Sequence, residues 1–225
     1  MLKIGHRGAA GYVAENTLES IDKALELGVD GVEIDVHLCA SGELVVHHDL
    51  TLDRMTNGSG EIATWTLKEL KYLLVGDRYR IPTLVEVLDH LNARCLLNIE
   101  LKGEDTAKPT VELLQQYIKD EKYQYENILL SSFHFKELEI VSDLDPNFQL
   151  AVLTIKSIDE AILIAEKVNA KYLHPHTSVT SKVGVKAAHY YGYKVNAWTA
   201  NMKDTIKKMK LYRVDGLISD KPDRL

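Results

Sequence analysis

The run Gly31-Val32-Glu33-Ile34-Asp35-Val36-His37 decides how the rest of the chain is organised. Glu33 and Asp35 stand two apart among Val and Ile, so on a strand both side chains leave the same face. On a half-exposed antiparallel strand that face would simply be wet. On a strand buried on both faces, each carboxylate loses several kcal/mol of solvation and needs a partner. The pair also repels by roughly 4 kcal/mol at ~4 Å and an effective dielectric near 20. A bound cation resolves both problems.

The flanking sequence favours the buried strand. Upstream, residues 2–6 form a short strand that closes on Gly5-His6-Arg7-Gly8-Ala9-Ala10-Gly11. The spacing of these glycines is not that of a dinucleotide-binding turn. Asn16 and Thr17 can cap a helix over 17–27, with Leu18, Ile21, Ala24 and Leu25 on one face and Gly28 as its stop. Downstream, Ser41-Gly42 turns into an extended segment ending in His47-His48-Asp49, and 50–65 is loop-like around Asn57-Gly58-Ser59-Gly60. Short amphipathic segments follow at 66–74 and 83–93. Strands are then expected at 95–101, 127–132, 148–154, 171–174, 193–198 and 214–219. Helices are expected between them at 106–122, 134–143, 157–168, 181–191 and 203–212. Eight βα units in unbroken alternation predict an α/β fold with a parallel sheet closed into a TIM (β/α)₈ barrel. The expectation is one domain over 1–225 with a small insertion at about 43–82 after the second strand. The eighth helix is truncated or absent.

Composition sets the remaining bounds. A chain of 225 residues with 45% hydrophobic and 27% charged side chains is ordinary for a globular protein. A formal net charge of -6 argues against a nucleic-acid partner or a broad anionic-membrane surface. Cys39 and Cys95 are lone thiols suited to a reducing compartment, with a disulfide between them left open. There is no leader-like apolar segment, no membrane-length apolar run and no evident amphipathic membrane helix, so the expected location is cytoplasmic without stable membrane insertion. No exposed apolar stripe marks an interface, which suits a monomer or small homo-oligomer.

In such a barrel the chemistry lies at the carboxyl ends of the strands. There the chain places His6 and Arg7, then Glu33 and Asp35, Glu100 and Lys102, His174, and finally Asn196 and Trp198. His48 ends the extended segment of the insertion. Glu33, Asp35 and Glu100 offer oxygen-only ligation, which favours one hard divalent cation, Mg²⁺ or Ca²⁺. Arg7 and Lys102 beside such a cation describe a site for a phosphate group. His6 and His48 are then the natural proton-transfer pair. His37, His90, His134 and His189 read as structural, while His47 faces the other side of its segment from His48. His174 either touches substrate or is packed, and Trp198 is either a pocket wall or a core tryptophan.

These same residues carry a resemblance. Gly5-His6-Arg7-Gly8, Glu15-Asn16-Thr17, Glu33-Ile34-Asp35-Val36, His48-Asp49 with Leu52-Asp53-Arg54, Ile81-Pro82-Thr83-Leu84, Asn98-Ile99-Glu100-Leu101-Lys102, Ala197-Trp198-Thr199 and 215–222 occur in an order and spacing that span the chain. Together they resemble the glycerophosphodiester phosphodiesterases, among the phosphatidylinositol-phospholipase-C-like TIM barrels. The resemblance implies metal ligands at Glu33, Asp35 and Glu100, an acid/base pair at His6 and His48, and phosphate contacts from Arg7 and Lys102. Ala14, His47 and Met55 depart from the family's usual residues without removing a group the mechanism needs, and His47 is a candidate to alter the substrate entrance. The implied reaction is metal-dependent hydrolysis of a small-molecule glycerophosphodiester to glycerol 3-phosphate and an alcohol. Related readings are a lysophospholipase D-like or cyclising phosphodiesterase, and a non-catalytic phosphate-binding barrel.

Overall fold

Alternation in the central strand is what builds the fold. In the computed structural model, which describes residues 1–225, every residue of Gly31–His37 is buried. Val32, Ile34 and Val36 pack into the main hydrophobic core, whereas Glu33 and Asp35 lie on the opposite face. A strand buried on both faces is the parallel, helix-covered kind.

The elements run β1 (Leu2–Gly5), α1 (Leu18–Glu26), β2 (Gly31–Leu38), β3 (Leu44–Val46), α2 (Leu67–Leu70), α3 (Leu84–Leu91), β4 (Leu96–Leu101), α4 (Ala107–Lys119), β5 (Ile128–Ser132) and α5 (Phe135–Leu144). They continue with β6 (Gln149–Thr154), α6 (Ile158–Lys167), β7 (Tyr172–Pro175), α7 (Lys182–Tyr190), β8 (Lys194–Ala197), α8 (Lys203–Tyr212) and β9 (Gly216–Ser219). A short 3₁₀ turn over Pro222–Arg224 stands where an eighth barrel helix would begin. The nine strands form one sheet, ordered β1-β9-β8-β7-β6-β5-β4-β2-β3, and β1 also pairs with β2. β3 is antiparallel to β2, and the other strands are parallel, so they close into a (β/α)₈ barrel.

The register sets the depth of each inward side chain. Glu33 pairs with Asn98, Asp35 with Glu100, and Glu100 with Ser131. Leu129, Ala151 and Tyr172 form a small apolar cluster separate from the outer core. By strand parity Leu129 shares the inward face with Ser131, so this cluster plugs the barrel at its amino-terminal end. Outside the barrel, the segment after β2 has its own core of Cys39, Val45, Leu52, Ile62, Leu70, Leu73, Val75 and Ile81. That core explains why the amphipathic segment expected over 66–74 is helical only over Leu67–Leu70. Leu73 turns inward with Leu70, and Val75 leaves the helix to bridge Thr56 and Tyr79. Cys39 and Cys95 are free thiols.

Sequence reading also overlooked how α4 starts. Thr106 makes no side-chain cap, because its hydroxyl donates to the Gly103 carbonyl at 2.8 Å. Instead the buried Glu137 of α5 accepts the Ala107 N–H at 2.7 Å and the Asp105 N–H at 3.0 Å. A carboxylate at a helix start opposes the positive end of the dipole and satisfies donors that have no partner within the helix. Glu137→Ala is expected to lower unfolding free energy by about 2–4 kcal/mol, since buried amides are left unpaired. Glu137→Gln, which keeps one acceptor oxygen, should cost less. Urea unfolding of the two variants checks the order.

Candidate active site

The turn after β1 is held in an uncommon backbone conformation by the central carboxylates. Arg7 has φ +52, in the left-handed region that non-glycine residues rarely occupy. Its N–H donates to Glu33 Oε2 at 2.9 Å, which helps fix it there. Gly8 has φ +82, and a Cβ at this position would lie 2.5 Å from Ser20, so only glycine lets the turn press onto α1. This close approach aims the Arg7 side chain across β2. Its Nη1 reaches Glu15 at 2.8 Å and its Nε lies 3.5 Å from Asp35.

Glu33, Asp35 and Glu100 each offer an oxygen, and the three atoms lie within 4.8 Å of one another. All three residues are buried. Asn16 Nδ2 donates to Asp35 Oδ2 at 2.9 Å, and Lys102 Nζ donates to Glu100 at 2.9 Å. Lys102 also stands 3.7 Å from Asp35 Oδ1, too far to hydrogen-bond, and that oxygen is left buried with no hydrogen-bond partner.

The electrostatics follow from this crowding. Burial, then Asp35 and Glu100, push the Glu33 carboxyl well above the usual range. Burial and Asp35 push Glu100 up to about 7 despite Lys102. Burial acts the same way on Asp35, but Arg7, His48 and Lys102 outweigh it and keep that carboxyl below its ordinary value. Without further positive charge, the cluster cannot hold three carboxylates ionised near neutral pH. An all-oxygen donor set with one orphaned carboxylate oxygen fits a hard divalent cation.

Two histidines line the same cavity, and both are gripped in the same way. His6 Nδ1 is 2.6 Å from Asp220 Oδ1, and Asp220 also accepts from Asn201. His48 Nδ1 is 2.6 Å from Asp49 Oδ1. Each carboxylate fixes the tautomer with the proton on Nδ1, leaving Nε2 as the free ring nitrogen. Burial, together with the charge of Arg7, lowers the His48 imidazole below its ordinary value, against the upward pull of Asp35 and Asp49. Asp49 is itself held by Arg54 Nε at 2.5 Å, and Arg54 Nη2 donates to Glu15 at 2.7 Å. A continuous chain of charges thus runs from His48 through Asp49, Arg54 and Glu15 to Arg7 and Asp35.

All eight residues singled out from sequence can be located. His6, Arg7, Glu33, His48, Glu100, Lys102 and Trp198 line one cavity, with Asp35 buried beside Glu33 and Glu100. Trp198 meets Phe133 edge to face at 5.6 Å and His176 at 5.1 Å, which makes it a wall of the cavity. A wider groove of about 950 Å³ opens from the same place, past His48, Glu100, Lys102 and Phe133 toward Leu50, Glu61 and Asp105. His174 does not reach either space. It is wholly buried, its Nε2 is 3.1 Å from Asn196 Nδ2, and burial pushes it down to about 3, so it is a neutral packed side chain. His47 is also buried, within 3.1 Å of the Thr51 carbonyl, and lines neither space, so an effect on the entrance is not supported.

Sequence reasoning missed Asp49, Asp220 and the Glu15–Arg54 pair as parts of the site, along with Phe133. The adjacency of His48 and Asp49 was an available signal. Nothing local pointed to Asp220, which lies 214 positions from His6.

Known proteins match this chain over its whole length. Residues 6–224 match the model of the glycerophosphoryl diester phosphodiesterase family. A glycerophosphodiester phosphodiesterase of Caldanaerobacter subterraneus subsp. tengcongensis is 36% identical, the match covering 100% of this chain and 96% of the relative. One from Bacillus altitudinis is 37% identical over the same shares. Among solved structures, an Oleispira antarctica phosphodiesterase in complex with the product sn-glycerol-3-phosphate is 32% identical with a TM-score of 0.90, over 98% of this chain and 93% of that one. With a family match over residues 6–224 and relatives 36% and 37% identical over the whole chain, the chain belongs to the glycerophosphoryl diester phosphodiesterase family.

Proposed function

We propose that this enzyme hydrolyses glycerophosphodiesters to glycerol 3-phosphate and an alcohol, using one divalent cation and a pair of histidines. The observation that carries the reading is the meeting, in one cavity, of two carboxylate-gripped histidines with a three-carboxylate cluster and two cations, Arg7 and Lys102. The family and the product bound by the Oleispira antarctica relative support it.

Glu33, Asp35 and Glu100 would hold Mg²⁺ or Ca²⁺, and when bound the cation supplies a Lewis acid at a phosphate oxygen. Arg7 and Lys102 bind the remaining phosphate oxygens as charge-assisted donors. One histidine accepts a proton at Nε2 from the attacking hydroxyl, and the other donates its Nε2 proton to the leaving alcohol. Asp49 and Asp220 stabilise the imidazolium each histidine becomes when it is protonated, and they hold both rings in the productive tautomer. Trp198 and Phe133 form an apolar wall that limits water. No helix is long and apolar enough to cross a membrane.

The test is glycerol 3-phosphate release from glycerophosphocholine by metal-stripped protein, with Mg²⁺ or Ca²⁺ added back. Release that appears only on adding metal is expected. Full-rate release by the stripped protein would remove the cation from the mechanism.

A further inference from the structure

From the floor of the cavity we infer that Asn98 and Ser131 bind the two free hydroxyls of the glycerol half of the substrate, and so decide which half of the diester enters the barrel. This rests on the glycerophosphodiester reading above. Asn98 is 1% exposed and Ser131 0%, yet Asn98 Oδ1 and Ser131 Oγ have no hydrogen-bond partner. A buried polar atom left unpaired is costly, and such atoms in a native fold mark a place where another group belongs. His174 Nδ1 and Asn196 Oδ1 are orphaned too, but neither residue lines the cavity. Asn98 and Ser131 do.

Position and size agree with a glycerol occupant. Asn98 precedes Glu100 by two residues on the same face of β4, which puts it about 7 Å deeper along the strand than Glu100 and level with its register partner Glu33. Ser131 pairs directly with Glu100 from β5. The cavity is small, about 60 Å³, so whatever reaches past the phosphate to the floor must be slim. Beyond its ester oxygen, a glycerol residue is an unbranched chain of three carbons carrying two hydroxyls. A quaternary ammonium alcohol is bulkier and has no hydrogen-bonding group for the floor, so it belongs in the wider groove. Leu153, Ile218 and Trp198 supply apolar walls for the glycerol carbons. A hydroxyl both donates and accepts, so either end of the Asn98 amide can meet it.

The inference is tested by binding rather than turnover. Calorimetry with Mg²⁺ or Ca²⁺ present compares sn-glycerol 3-phosphate with propyl phosphate, which keeps the phosphate and three carbons but lacks both hydroxyls. The wild-type protein should prefer glycerol 3-phosphate by about 10- to 100-fold, because a site built for hydroxyls rejects the analogue that lacks them. Ser131→Ala removes an unpaired hydroxyl, so it should fold with an unchanged or higher Tm. It should weaken glycerol 3-phosphate about tenfold and leave propyl phosphate as before. Asn98→Ala should narrow the preference in the same way. Equal wild-type affinity for the two phosphates, or full discrimination in both folded variants, would overturn the assignment. A protein that discriminates the two phosphates but fails to hydrolyse diesters would instead count against the proposed reaction, leaving the floor intact.

Discussion

His48→Ala is expected to cut turnover of a glycerophosphodiester by about 10²- to 10⁴-fold, the usual contribution of a positioned acid or base. The loss should fall on kcat, because His48 offers no ligand atom to the carboxylate cluster. The change should also leave the fold intact. The side chain is 25% exposed, and its partner Asp49 keeps the ion pair with Arg54 when the ring is gone. A cation-induced rise in Tm that survives in the variant would separate chemistry from binding. Near-full activity in the variant would remove His48 from the acid/base pair.

The other large effect concerns the carboxylates, and it runs in two directions. Glu33→Gln is expected to stabilise the metal-free protein while abolishing both cation binding and turnover. Carboxylates within 4.8 Å repel by roughly 3–4 kcal/mol per ionised pair at an effective dielectric near 20. Removing one relieves that repulsion, and the amide oxygen can still accept the Arg7 N–H. The sign with pH follows from the raised Glu33 carboxyl. A group held above its unfolded value contributes stability at low pH and loses it as pH rises through the folded value. The gain in metal-free Tm should therefore be small at pH 5 and larger at pH 8. With cation at 100 times its dissociation constant the gap closes or narrows. The wild-type protein then gains about 2.7 kcal/mol that the variant lacks. Thermal unfolding with and without chelator at the two pH values checks all of this. A variant that still gains stability from cation would show that Glu33 is not a ligand.

What could be seen in the sequence was what repeats or sits in strands. Val32, Ile34 and Val36 alternating with Glu33 and Asp35, and Leu97, Ile99 and Leu101 alternating with Asn98 and Glu100, encode strand, burial and inward carboxylates at once. The barrel and the cluster followed from those runs. Helix ends were less visible. The helix expected over 106–122 stops at Lys119, where Glu121 takes φ +59 and the chain turns back. Partners joined only by barrel closure could not be seen at all. Asp220 looks like an ordinary turn aspartate until β1 lies beside β9. Asn98 and Ser131 look like ordinary strand residues, because what distinguishes them is a missing hydrogen bond. His174 looked eligible for substrate contact only because strand position says nothing of depth.

The His6–Asp220 contact carries a consequence for how the molecule is made. His6 follows the first strand of the barrel and its carboxylate partner follows the last, 214 positions later. β1, meanwhile, waits with one edge uncovered until β9 arrives. Domains generally fold as units. Here every parallel strand from β1 to β9 must be in place before that imidazole is oriented. A barrel whose last strand has not yet docked therefore holds that imidazole without its carboxylate.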